Sequence, residues 1–133
     1  MSTVGVVKGG EDELKLYGVV SGKWDTDQCN ILDISEFAEK PSIDYAKEHL
    51  RMDEGVGSEY CLLFGIYVLH SEIFSLLEEN IRNDLRERGE YQLTSCLDEM
   101  RRRSGFKGIV VEGKRYDIGV PHAYRETVAS FGK

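Results

Sequence analysis

Tyr60-Cys61-Leu62-Leu63-Phe64-Gly65-Ile66-Tyr67-Val68-Leu69 is an almost wholly apolar run. It shows no polar alternation, so it reads as a central strand buried on both faces. Working outward, Ser71 stands where a helix N-cap belongs, and Ile73, Phe74, Leu76, Leu77 and Ile81 fall on one inner stripe of the helix that follows. The polar stretch 83–89 breaks that helix. A second helix over residues 90–104 turns Leu93, Leu97 and Met100 inward and ends at Gly105.

The flanks add more of both kinds of element. Residues 4–7, 16–20 and 29–37 read as strands, the last running into Glu39-Lys40-Pro41, with an acidic turn through Gly9-Gly10-Glu11-Asp12-Glu13. Ser42 caps a helix through Tyr45 and Ala46 to Leu50, and residues 52–58 form a loop. Residues 106–111 are a strand, Gly113-Lys114 a tight turn and residues 116–118 a short strand. Pro121 then opens a last helix carrying Ala123, Tyr124, Val128 and Phe131. Strands and helices interleave, which predicts an α/β class with a mixed sheet and flanking helices. At 133 residues the chain supports a single domain, residues 1–133.

Composition narrows the function. With 41% hydrophobic and 31% charged residues the chain is ordinary for a soluble domain. No apolar run approaches the ~18 residues of a membrane span, and the N-terminus lacks a signal-peptide pattern. Three widely spaced cysteines, Cys29, Cys61 and Cys96, suit reduced thiols in a cytoplasm better than disulfides or zinc. A net charge of −7 argues against nucleic acid. The run Arg101-Arg102-Arg103 suits the negative end of its own helix dipole. His49, His70 and His122 share no metal-like spacing and are read as structural or surface residues.

Four fragments can carry chemistry. In Lys114-Arg115-Tyr116-Asp117-Ile118-Gly119-Val120-Pro121 a lone carboxylate, Asp117, stands where a strand gives way to a helix. In Glu39-Lys40-Pro41 the proline keeps Lys40 out of helical geometry, so Lys40 is expected to project from an extended end. Glu39 and Lys40 then point apart, one suited to sugar hydroxyls and one to a phosphate. Gly65, a glycine within an apolar strand, is expected where a ligand or backbone comes close, with Tyr67 beside it to cover a sugar ring. Glu90, in Gly89-Glu90-Tyr91-Gln92-Leu93-Thr94, is an acid at a helix start.

Taken in order, Tyr17-Gly18-Val19-Val20, Phe37-Ala38-Glu39-Lys40-Pro41, Phe64-Gly65-Ile66-Tyr67-Val68-Leu69, Gly89-Glu90-Tyr91-Gln92-Leu93-Thr94 and Tyr116-Asp117-Ile118-Gly119 resemble the sugar-1-phosphate nucleotidylyltransferases. The likeness is greatest to the bacterial-type UTP–glucose-1-phosphate uridylyltransferases, with the glucose-1-phosphate thymidylyltransferases next, and covers residues 3–131. The family's glycine-rich triphosphate loop and first magnesium Asp have no counterpart. The resemblance therefore implies the C-terminal, sugar-binding half of a Rossmann-like catalytic domain, either a cut piece or a truncated gene product.

It further implies roles. Glu39 would bind sugar hydroxyls and Lys40 the sugar phosphate. The backbone at Gly18 would approach the sugar, Gly65 and Tyr67 would line its pocket, and Glu90 would help on the sugar side. Asp117 would be a Mg2+ ligand. The substrates implied are a sugar-1-phosphate and UTP or dTTP. A non-catalytic homologue acting as a binding or assembly module is the rival reading. A half-domain is also expected to bare a cut face, with residues 60–69 near an open edge, and so to associate with another copy.

Overall fold

The computed structural model describes residues 1–52 and 59–133; the loop expected over residues 52–58 lies almost wholly outside them. The elements run β1 (Ser2–Gly9), a 3-10 turn (Glu11–Glu13), β2 (Gly18–Trp24), β3 (Ile31–Glu39), α1 (Ile43–His49), β4 (Tyr60–Val68), α2 (Glu72–Arg82), α3 (Leu93–Ser104), β5 (Phe106–Val110) and α4 (Pro121–Ser130). The class is the expected α/β with a mixed sheet. The strand order β1-β4-β2-β3-β5 closes back on β1 as a barrel, in which only the β1–β5 pairing is parallel.

Residues 60–63 are buried on both faces, as the apolar run requires. Cys61 and Leu63 join the main core with Val4, Val6, Val20, Leu32, Phe37, Leu97, Met100 and Phe106. Tyr60 and Leu62 face a second core with Leu14, Val19, Ala46 and Leu50. Beyond Leu63 the strand emerges, with Ile66 and Val68 exposed. β4 pairs with β1 on one side and, at Cys61 and Leu62, with β2 on the other. The open edge expected for this buried run is therefore absent: β4 lies inside the sheet, between β1 and β2.

Several elements differ from their sequence readings. Residues 116–118 are not a strand. Phe74 and Ile81 of α2 face solvent, and only Ile73 and Leu76 of that helix are fully buried. The helix expected from residue 90 begins at Leu93, so Glu90 lies before it. α4 starts at Pro121 as expected but buries no residue fully; Tyr124, Val128 and Phe131 are exposed. Arg101, Arg102 and Arg103 pair with Asp98, Glu99 and Glu72, which fits a helix-stabilising role. No helix among the described residues is long and apolar enough to cross a membrane.

Candidate functional site

Strand direction gathers most of the candidate residues at one end of the barrel. The start of β2 and the end of β3 meet there because the two run antiparallel, and Gly18 pairs directly with Glu39. The outward half of β4, with Gly65 and Tyr67, continues past the start of β2. Four steps along β4, from Leu63 to Tyr67, lie opposite two steps along β1, from Val4 to Val6. The bulge sits at Gly65, whose φ of 92° suits glycine. Nothing lies within 4 Å of a Cβ built at Gly65, so the bulge, not a crowding neighbour, accounts for this glycine.

Glu39 is the best-fixed of the candidate side chains. Its Oε2 accepts a 2.7 Å hydrogen bond from the Thr94 hydroxyl, and Thr94 is buried in the first turn of α3. One turn further along α3, an Asp98 oxygen accepts the backbone N–H of Phe37 at 3.2 Å. A Cβ at Gly18 would come within 3.3 Å of Glu39 Oε2, so the bare glycine leaves the carboxylate its place. Tyr67 is near enough to feel that charge. Burial first, and then Glu39, raises its phenol above the ordinary value.

Glu39 and Thr94 line a cleft of about 690 Å³ between β3 and α3, together with Phe37, Pro41, Arg88 and Gln92. That volume suits a small ligand, which takes roughly 300–1,000 Å³. Glu36 also lines it and accepts a hydrogen bond from the Tyr45 hydroxyl, raising that phenol's pKa as well.

The remaining candidates are placed differently. Lys40 is exposed and is not part of the cleft lining. Its φ of 42° is left-handed, not extended as expected from Pro41. β3 ends at Glu39, and the chain must turn within two residues to reach the Ser42 cap, whose oxygen accepts the Tyr45 N–H. Glu90 is exposed outside the cleft and takes a long contact from the Gln92 amide. Sequence reasoning chose Glu90 from its motif and missed Thr94 in the same motif. The helix period was the available signal, since Thr94 lies on the inward side near Leu97.

Asp117 lines a second cleft, of about 470 Å³, with Tyr17, Phe64, Lys114, Arg115 and Tyr116. Arg115 stacks on the Tyr17 ring at 4.0 Å and Lys114 lies over Tyr116 at 5.3 Å. Tyr17 lines this second cleft, and the next residue, Gly18, pairs with Glu39 of the first. Asp117 is exposed, and its Oδ1 already accepts the Gly119 N–H at 2.8 Å. Asp117 is the only carboxylate lining this cleft, beside Lys114 and an Arg115 that pairs with Glu13 at 3.5 Å. Magnesium wants near-octahedral oxygen ligands, and no group of three His, Cys, Asp or Glu suited to a metal occurs among the described residues. The residues present do not by themselves fit a magnesium ion.

Residues 1–132 match the family described as nucleotidyl transferase. The chain belongs to that family. This nucleotidyl transferase family member is 28% identical over 130 residues to UTP–glucose-1-phosphate uridylyltransferase 1 of Staphylococcus saprophyticus, covering 98% of the chain and 40% of that protein. It is 30% identical over 116 residues to the uridylyltransferase YngB of Bacillus subtilis, covering 87% of the chain and 34% of that protein. The chain thus spans well under half the length of these curated relatives. Its fold superposes on a crystal structure of UDP-glucose pyrophosphorylase complexed with UDP-glucose at a TM-score of 0.77 and 25% identity, covering 98% of this chain and 43% of that one.

Proposed function

We propose that this chain supplies the sugar-phosphate side of a nucleotidyl transfer of the UTP–glucose-1-phosphate uridylyltransferase type. The observation that carries the reading is Glu39. Its carboxylate is held by Thr94 across from a bare Gly18, at the edge of a cleft of small-ligand size. A fixed carboxylate oxygen accepts hydrogen bonds from sugar hydroxyls, and Tyr67 offers a ring face nearby. Lys40, the next residue, is an exposed ammonium suited to the sugar phosphate.

In the transfer an oxygen of the sugar phosphate attacks the α-phosphorus of the nucleoside triphosphate in line. The bond from that phosphorus to the β-phosphate's bridging oxygen breaks, and pyrophosphate leaves with the electron pair. Lys40 orients the attacking phosphate and Glu39 the sugar, so their contribution is positioning. No step here runs through a metal, because Asp117 offers at most one ligand. Self-association belongs to the same proposal. Exposed Phe74, Ile81, Tyr124, Val128 and Phe131 leave apolar surface that a second copy would cover.

Amide NMR shifts on adding glucose-1-phosphate or UDP-glucose test the proposal. Shifts at Gly18, Glu39, Lys40, Tyr67 and Thr94 are expected. No shifts at high ligand, or shifts confined to α4, overturn it.

A further inference from the structure

We infer that Thr94 is a positioning residue for Glu39, and that α3 serves as the ruler that sets the sugar-facing carboxylate. α3 grips β3 at two points. Thr94 Oγ1 donates to Glu39 Oε2 at 2.7 Å, and Asp98 Oδ1 accepts from the Phe37 N–H at 3.2 Å. The spacings match. Four residues of helix advance about 6 Å, and two residues of strand advance about 6.7 Å. The order of partners, 94 with 39 and 98 with 37, sets the helix antiparallel to the strand.

The two contacts do different work. The Asp98 contact takes up a strand N–H beside the irregular register between Ser21↔Glu36 and Gly22↔Ile34. Asp98 is itself fixed by Arg101 at 2.8 Å and Arg102 at 2.9 Å. The Thr94 contact occupies one oxygen of Glu39 and leaves Oε1 for a ligand hydroxyl. Thr94 is only 8% exposed, and its β-branched side chain has few rotamers to choose from. Gly18 clears the far side of the same oxygen. Glu39 is thereby held by one donor, and the bare Gly18 leaves its carboxylate the room to take that position.

The inference rests on the sugar-binding reading only for its consequence; the positioning itself is tested without ligand. Thr94→Val keeps the side-chain shape and removes the donor, whereas Thr94→Ser keeps the donor. Scalar couplings across the Glu39 side chain are expected to report one rotamer in the wild type and in Thr94→Ser, and averaging in Thr94→Val. With UDP-glucose as the probe, Thr94→Val is expected to weaken binding about tenfold, the scale of one hydrogen bond to a charged group. Thr94→Ser restores it, and Thr94→Val adds nothing in a Glu39→Ala background, where the acceptor is gone.

Unchanged Glu39 couplings in a folded Thr94→Val, or additive losses in the double variant, overturn the inference. If the wild type binds no UDP-glucose, the sugar reading fails, and the couplings still decide whether Thr94 holds Glu39. If Thr94→Val does not fold, the wild-type couplings and exchange protection of the Thr94 hydroxyl proton decide instead: an averaged Glu39 or an unprotected hydroxyl overturns it.

Discussion

Gly18 and Glu39 pair directly across β2 and β3, and a Cβ on Gly18 would sit 2.6 Å from Leu63 Cδ1 and 3.3 Å from Glu39 Oε2. The first clash is with the far end of a flexible leucine, which can move. The second is with the carboxylate assigned to the ligand. Gly18→Ala is therefore expected to lose ligand binding out of proportion to stability. The stability cost should be about 1–2 kcal/mol, as for modest overpacking. Chemical denaturation together with a UDP-glucose titration checks this; intact binding in a destabilised variant removes Gly18 from the site.

Lys40 carries a backbone cost, because its φ of 42° is left-handed and it has a Cβ. Such a position costs of order 1–3 kcal/mol, partly offset in a glycine variant by glycine's greater freedom when unfolded, ~0.5–1 kcal/mol. Lys40→Gly is expected to melt at or above the wild-type temperature and to lose sugar-phosphate binding. A clear fall in melting temperature would mean the turn is unstrained. Lys40→Ala, in turn, should cost more in binding than Glu39→Gln. A charge-assisted phosphate contact contributes roughly 1.5–3 kcal/mol, against 0.5–1.5 for a neutral hydroxyl contact. Glutamine also keeps an oxygen for Thr94. Equal or reversed losses would count against the roles given to both residues.

What the sequence made legible was local. Residues 60–63 announce burial on both faces because every second residue on either side is apolar, and two separate cores receive them. Ser42 and Gly105 mark helix ends because capping depends on neighbours in the chain. Phe74 and Ile81 misled because an apolar stripe wider than the available core stays exposed. Barrel closure was out of reach, since it depends on β5 pairing with β1 and β3, strands far away in sequence. In the site, Gly18 and Glu39 were assigned to one ligand only through family resemblance; the structure shows that they pair across β2 and β3. Thr94 was missed because its partner lies 55 residues away. The left-handed Lys40 was missed because a proline's influence on its predecessor is a preference, while the sharp turn into α1 is a geometric demand.

Incubated with UTP, glucose-1-phosphate and magnesium, the chain by itself is expected to release no pyrophosphate. Asp117 has one oxygen engaged by Gly119, and no acidic cluster among the described residues completes a metal site. Magnesium alone should likewise leave the melting temperature unmoved, because an ion that does not bind the folded chain cannot stabilise it. Turnover in the ordinary enzymatic range of ~1–1000 per second would overturn the expectation. A magnesium-dependent rise in melting temperature that Asp117→Asn abolishes would show that Asp117 does hold the ion.

Cys61 ties stability to alkaline pH. Burial pushes its thiol from the ordinary 9.0 up to about 11, with Lys8 opposing. The folded state therefore keeps the proton after the unfolded chain has lost it. The stabilisation is fully present below pH 9 and drains away as pH rises towards 11, by about 2–3 kcal/mol in all. Tyrosines and lysines titrate nearby, so the comparison is with Cys61→Ala. That variant should be less stable at neutral pH, because it leaves a cavity, and the gap to wild type should narrow between pH 9 and 11. Denaturant midpoints across that range decide it. A gap that stays constant would mean the thiol ionises as easily in the fold as in the open chain. The same burial predicts that a thiol alkylating reagent modifies exposed Cys29 in the native protein and reaches Cys61 and Cys96 only after unfolding.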